Sequence, residues 1–241
     1  MITDPNWRAA AESLIHYGRR LNADGLAVGP AGNLSVRLGD VVAVTPSQVR
    51  YDKITPDSIC FLTIDGTQVG GQGRASSETP MHLSIYRDTN ATAIVHTHSP
   101  RAVAVSTVVD ELPAVHYCVL RAGGGPTIRV APYERFGSEA LARVAMTGLT
   151  DRTAVILQNH GAIAYGADIA EAYERAQLVE MLADVYLSAT GLETPRILTA
   201  EELGQVKSES ARRRYGGEMT PAAPMVADSS TAGGIPTGGT L

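Results

Sequence analysis

The chain has 241 residues, 44% apolar and 19% charged, a composition that supports one sizeable core and argues against disorder over most of the length. Twenty Lys and Arg against 25 Asp and Glu leave a formal net charge of −5, without the basic surplus of a general nucleic-acid binder. Cys60 and Cys118 make no disulfide framework, the N-terminus has no basic-then-apolar leader, and no apolar run reaches the roughly 20 residues of a membrane helix, so the expectation is a cytoplasmic protein with no membrane partner.

Asp4 suits the cap of a first helix opened by Pro5, and Trp7, Ala10, Leu14, Tyr17 and Leu21 recur at helical spacing until a stop at Gly25. Residues 34–37 and 41–44 read as strands joined at Gly39-Asp40, and 60–64 and 67–69 as a hairpin across Asp65-Gly66. A glycine-rich connector leads to a short helix over 80–87, opened by Ser77. Residues 93–98 are β-rich, 100–109 helical, 127–130 a strand and 138–147 a helix capped by Ser138. Two further strands, 154–157 and 162–165, flank the turn at His160-Gly161. Asp168, with Glu171 three residues on, caps the longest helix, which runs to about Thr190, and a last helix covers about 200–213. The order predicts one α/β (α+β) domain over 1–215, a mixed sheet covered by helices in two or three layers. Residues 216–241, rich in Gly, Pro, Ala, Ser and Thr, have little apolar surface to bury and read as a flexible tail.

The chemistry-bearing residues follow from the same map. On a strand, His96 and His98 of His96-Thr97-His98 point to one face, so two imidazoles converge within reach of one ion, although a His-x-His pair also arises by chance. His160, at a strand end before a glycine, supplies a third imidazole and leaves coordination positions open, the arrangement of a catalytic rather than a structural zinc. Ser76-Ser77-Glu78 has two readings: a helix cap with an acidic first turn, or an anion site with Glu78 as general base. Ala31-Gly32-Asn33-Leu34-Ser35 and Thr45-Pro46-Ser47 are two more small-residue loops. His16 falls on the exposed side of the first helix, His82 is either a partner behind the site or a surface residue, and His116 packs beside Tyr117.

Taken in order, Gly32-Asn33-Leu34-Ser35, Thr45-Pro46-Ser47, Ser76-Ser77-Glu78, His96-Thr97-His98, Pro113-Ala114-Val115-His116-Tyr117, Ala131-Pro132-Tyr133 and Asn159-His160-Gly161 resemble the class II aldolase family of fuculose-phosphate aldolase and ribulose-phosphate 4-epimerase. The resemblance implies a mainly antiparallel central sheet and one zinc ion per subunit on His96, His98 and His160, with Glu78 as acid/base and movable fourth ligand. It implies phosphate binding by Gly32, Asn33, Thr45, Ser76 and Ser77, and proton transfer to the aldehyde oxygen by Tyr117 of a neighbouring subunit. Tyr215 resembles the family's C-terminal tyrosine, and the family assembles as a cyclic homotetramer. The implied activity is cleavage of a ketose 1-phosphate such as L-fuculose 1-phosphate to dihydroxyacetone phosphate and an aldehyde. Glu78 favours this over the 4-epimerases, which carry aspartate there. A methylthioribulose-phosphate dehydratase on the same metal frame is a further alternative, and an adducin-like binding module, lacking the full metal set, is the non-enzyme one. Gln48 departs from the pattern, standing where the family usually has glycine.

Overall fold

The computed structural model describes residues 4–213; Tyr215 and the segment 216–241 lie outside the described residues. Its strands are β1 (Asn33–Leu38), β2 (Val41–Val44), β3 (Cys60–Thr63), β4 (Gln68–Gly70), β5 (Ala93–Thr97), β6 (Glu111–Leu112), β7 (Ile128–Ala131), β8 (Ala154–Leu157) and β9 (Gly161–Gly166). They form one sheet in the order β4-β3-β2-β1-β5-β9-β8-β7-β6. Every neighbouring pair is antiparallel except β7 with β8. The helices are α1 (Pro5–Ala23), α2 (Thr79–Asp88), α3 (Pro100–Ser106), α4 (Val119–Gly123), α5 (Glu139–Gly148), α6 (Ile169–Thr190) and α7 (Ala200–Arg213). The expected mixed, mainly antiparallel sheet flanked by helices is what the chain forms.

Strand alternation divides the interior into two cores. Leu34, Ala43, Phe61, Ala93, Val95, Ile156 and Ala164 pack on one face with α1, α3, α4 and α6. Val42, Ile94, Val155, Leu157 and Ile163 pack on the other with Met81, Leu83 and Ile85 of α2 and Leu141 and Ala145 of α5. Strands buried on both faces read as continuous apolar runs, which is why Ala154–Leu157 is apolar throughout. At the sheet's middle, α6 presents Ala172, Ala176 and Ala183 beside Val179 and Leu182, small residues that let it lie close on β5 and β9. At the far edge, Trp7 of α1 stacks on Phe61 with ring centroids 4.3 Å apart.

The structure departs from the pattern reading at four places. The helix after residue 76 is capped by Glu78 instead of Ser77. α3 stops at Ser106, where the Ser106 and Thr107 hydroxyls bond the Val103 and Ala104 carbonyls and compete with helix continuation. β6 has two residues and α4 has five, too few for either to show a period in the sequence.

Candidate active site

The site sits at one end of the central strands, on the α2 side of the sheet. β5 ends at Thr97 and carries His96 and, just past it, His98 toward the same side as Ile94. The strand end is held from behind: Glu180 of α6 accepts from Arg101 N and Ala102 N, each at 2.9 Å, and so caps α3 immediately after His98-Ser99. His160 closes the turn from β8 to β9, where Asn159 takes a left-handed φ of 55° and its N–H donates to Ser106 Oγ at 2.9 Å. The next residue must be glycine, because a Cβ on Gly161 would lie 1.9 Å from the Thr97 carbonyl oxygen. Gly32 is likewise obligatory, with φ of 74° and the His96 carbonyl oxygen 2.7 Å from where its Cβ would stand.

These elements bring four ligand atoms of Glu78, His96, His98 and His160 within 4.8 Å of one another. The three imidazole rings stand edge to face in pairs, every centroid separation being 4.9 Å. Glu78 is 3.0 Å from His96 Nε2 through Oε2 and 3.2 Å from His160 Nε2 through Oε1. The second approach is an ion-pair distance without hydrogen-bond alignment, so the buried Oε1 has no hydrogen-bond partner. Oε2 is fixed by Asn33 Nδ2 at 2.9 Å, from the strand paired with β5. Although Glu78 occupies the N-cap position of α2, its carboxylate makes no cap hydrogen bond; it turns to the histidines instead.

Electrostatics set the protonation states. Burial would push the Glu78 carboxyl up, but the adjoining His96 and His160 imidazoles outweigh it and hold Glu78 well below the usual carboxylate range. Burial also opposes charge on His96, yet the neighbouring carboxylate raises it above the ordinary imidazole value. His98 is pushed down to about 3 by burial together with His96 and His160. His96 Nδ1 lies 2.9 Å from the Ala162 carbonyl, which can only accept; Nδ1 carries the hydrogen, and Nε2 faces the cluster. The nitrogens His96 Nε2 and His98 Nε2 stand 3.1 Å apart. Three inward imidazole nitrogens and a carboxylate with an orphaned oxygen are the donor set of a divalent cation such as zinc, and the residues fit one.

The cluster opens into a cavity of about 410 Å³, large enough for a small phosphorylated sugar. Gly32, Asn33, Ser47, Gln48, Ser76 and Ser77 line one side, and Tyr133, Glu134, Phe136 and Asn159 the other. Among the described residues that line it there is no Lys or Arg, so hydroxyls, an amide and backbone N–H groups are what this wall offers an anion. Gln48 takes φ of 57°, the left-handed conformation that glycine adopts without strain, so the turn keeps its shape with a side chain on it.

The sequence-derived residues are placed unevenly. His96, His98, His160 and Glu78 come together, and Gly32, Asn33, Ser76 and Ser77 border the cavity. Thr45 is buried behind that wall, where its Oγ1 accepts from Leu34 N at 3.1 Å, and does not line the cavity. Tyr117 is 53% exposed, stacks on His116, and borders a separate depression with Glu202 and Glu209 of α7. His82 is fully buried, which removes the surface alternative, and His16 is exposed as expected. Sequence reasoning gave no role to Glu134 or Phe136; two large exposed aromatics, Tyr133 and Phe136, in one short loop are the signal that could have marked it.

Residues 12–187 match the family described as Class II Aldolase and Adducin N-terminal domain. The chain belongs to that family. Among curated relatives of this class II aldolase family member is 5-deoxy-D-ribulose 1-phosphate aldolase of Bacillus thuringiensis serovar kurstaki, 38% identical over 195 residues, covering 80% of this chain and 91% of the relative. L-fuculose phosphate aldolase of Escherichia coli K12 is 38% identical over 185 residues, covering 76% and 85%. A solved structure of an L-fuculose 1-phosphate aldolase superposes with a TM-score of 0.80 at 32% identity, covering 84% of this chain and 96% of the other.

Proposed function

We propose that the protein is a zinc-dependent aldolase that reversibly cleaves a ketose 1-phosphate to dihydroxyacetone phosphate and an aldehyde. L-fuculose 1-phosphate and 5-deoxyribulose 1-phosphate, named by the relatives, are the first substrates to try. The observation that carries the reading is the convergence of Glu78, His96, His98 and His160 at a sugar-sized cavity lined on one side by neutral hydrogen-bond donors. A cation held by the three histidines and Glu78 supplies Lewis-acid polarisation of substrate oxygens.

The chain's own groups do the rest. Gly32, Asn33, Ser76 and Ser77 bind the phosphate, with Ser47 beside them and Thr45 holding the loop from behind. The bond that breaks joins the two halves of the sugar, leaving an enediolate on the phosphate-bearing half and an aldehyde on the other. Glu78, ionised at rest, takes the carbon-bound proton of dihydroxyacetone phosphate in synthesis; in cleavage it first picks up a proton from solvent and then gives it to the enediolate carbon. Tyr117, from a second copy of the chain in a homotetramer, exchanges the proton on the aldehyde oxygen, and Tyr215 assists it. A shared site explains why Tyr117 is exposed and outside its own subunit's cavity. Tyr133 and Phe136 receive the less polar aldehyde end. Incubating the metal-loaded protein with dihydroxyacetone phosphate in deuterated water tests the proton step alone. Stereospecific uptake of one deuterium per molecule is expected; no uptake by fully loaded protein overturns the reading.

A further inference from the structure

His82 lies one turn beyond Glu78 on α2, and it is fully buried. Its Nδ1 is 2.7 Å from Ser35 Oγ, which is in turn 2.7 Å from the hydroxyl of Tyr86, one more turn along the helix. His82 Nε2 is buried without any partner. Hydrogen counting orients this chain. With Tyr86 O–H donating to Ser35 and Ser35 O–H donating to Nδ1, every hydroxyl hydrogen is used and only the Nε2–H is left over. The reverse direction strands both the Tyr86 hydrogen and a bare Nε2 lone pair, so the first direction is the better satisfied.

A buried N–H donor without an acceptor costs free energy unless some state of the protein uses it. Helical side chains lean toward the helix N-terminus, and residues at i and i+4 are neighbours, so the His82 ring covers the turn that begins at Glu78. Glu78 is also the group with an orphaned oxygen, Oε1. We propose that His82 is a positioning residue for Glu78: its Nε2–H donates to the Glu78 carboxylate when that carboxylate turns from the three histidines toward bound substrate. The Ser35–Tyr86 relay keeps the hydrogen on Nε2 and the ring in place. The inference rests on reading Glu78 as the acid/base.

The test compares His82→Gln, whose amide keeps a donor near the Nε2 position, with His82→Leu, which removes it. Three readings are taken on each: metal retained against a chelator, KM for dihydroxyacetone phosphate, and the rate of deuterium uptake into it. His82→Leu should hold metal at least as well as wild type, keep KM within about twofold and slow uptake about tenfold, the worth of one hydrogen bond. His82→Gln should restore uptake to within about threefold. Should His82→Leu not fold, His82→Met, a thioether with no donor, carries the same expectation. Equal uptake by the donor and non-donor variants, or uptake that falls only in step with metal loss, overturns the proposal. Absence of uptake by the wild-type protein overturns the aldolase reading instead, so the two failures are distinct.

Discussion

The two faces of β5 divide the labour of the molecule. Ala93 and Val95 turn into the hydrophobic core shared with α6, where β5 and β9 meet the longest helix. Ile94 and His96 turn the other way, and beyond Ile94 that face becomes polar: Ser35, His82, Asn33, Glu78 and His96 are all buried there. Burying so many polar groups is unfavourable unless each is partnered, and the unpaired atoms among the described residues include Asn33 Oδ1 and Glu78 Oε1, which border the cavity, and His82 Nε2 behind them. One face stabilises; the other carries the cost of chemistry and borrows its rigidity from the first, through Glu180 capping the helix that follows His98.

Substitutions on either face should therefore separate activity from stability. The largest effect is expected at His96→Ala, which removes the best-oriented of the three imidazoles: elemental analysis should show metal loss, and cleavage should fall by a factor on the order of 10³. Full metal content in that variant would break the assignment. Glu78→Gln comes next. The change is nearly isosteric, so the fold should persist while deuterium uptake falls by about 10², the worth of a positioned acid/base. Uptake at the wild-type rate would reduce Glu78 to a helix-start carboxylate.

Across the sheet, Val95→Ala should do the opposite. Denaturant unfolding should register a loss of about 2 kcal/mol from the cavity left behind, with kcat within about twofold. A large kcat change there would mean that the two faces are not separable. The smallest effect is expected at Glu180→Ala, where the first turn of α3 loses acceptors for two backbone N–H groups, at a cost of about 1 kcal/mol. Metal content unchanged after that loss would confine Glu180 to stability, whereas partial metal release would show that the cap also holds His98 in register.

How much of this was legible in the sequence follows from the range of each signal. The His96/His98 pair was legible because strand alternation is a local rule, and His160 because a strand-ending histidine before glycine marks a turn. The central strands and α1, α5 and α6 carried caps and periods within their own segments. The part of the wall formed by Glu134 and Phe136 was not legible, because it reaches the cavity through the parallel pairing of β7 with β8, a contact between distant segments. The sequence could not decide between the two readings of His82 for a similar reason: α2 is covered on the side that meets β1, and only the sheet shows which side that is. Thr45 stands behind the lining residues, since the sequence marks the loop but not which hydroxyl faces inward.

The proposed metal-dependent cleavage of a ketose 1-phosphate depends on the four converging side chains. The most direct measurement is release of dihydroxyacetone phosphate and aldehyde from a panel of ketose 1-phosphates, taken with the metal-loaded protein, after chelation, and after metal is restored. Release from at least one member of the panel, lost on chelation and regained with zinc, is the predicted result. No release from any member by fully loaded, folded protein, or release that chelation leaves untouched, would contradict the account.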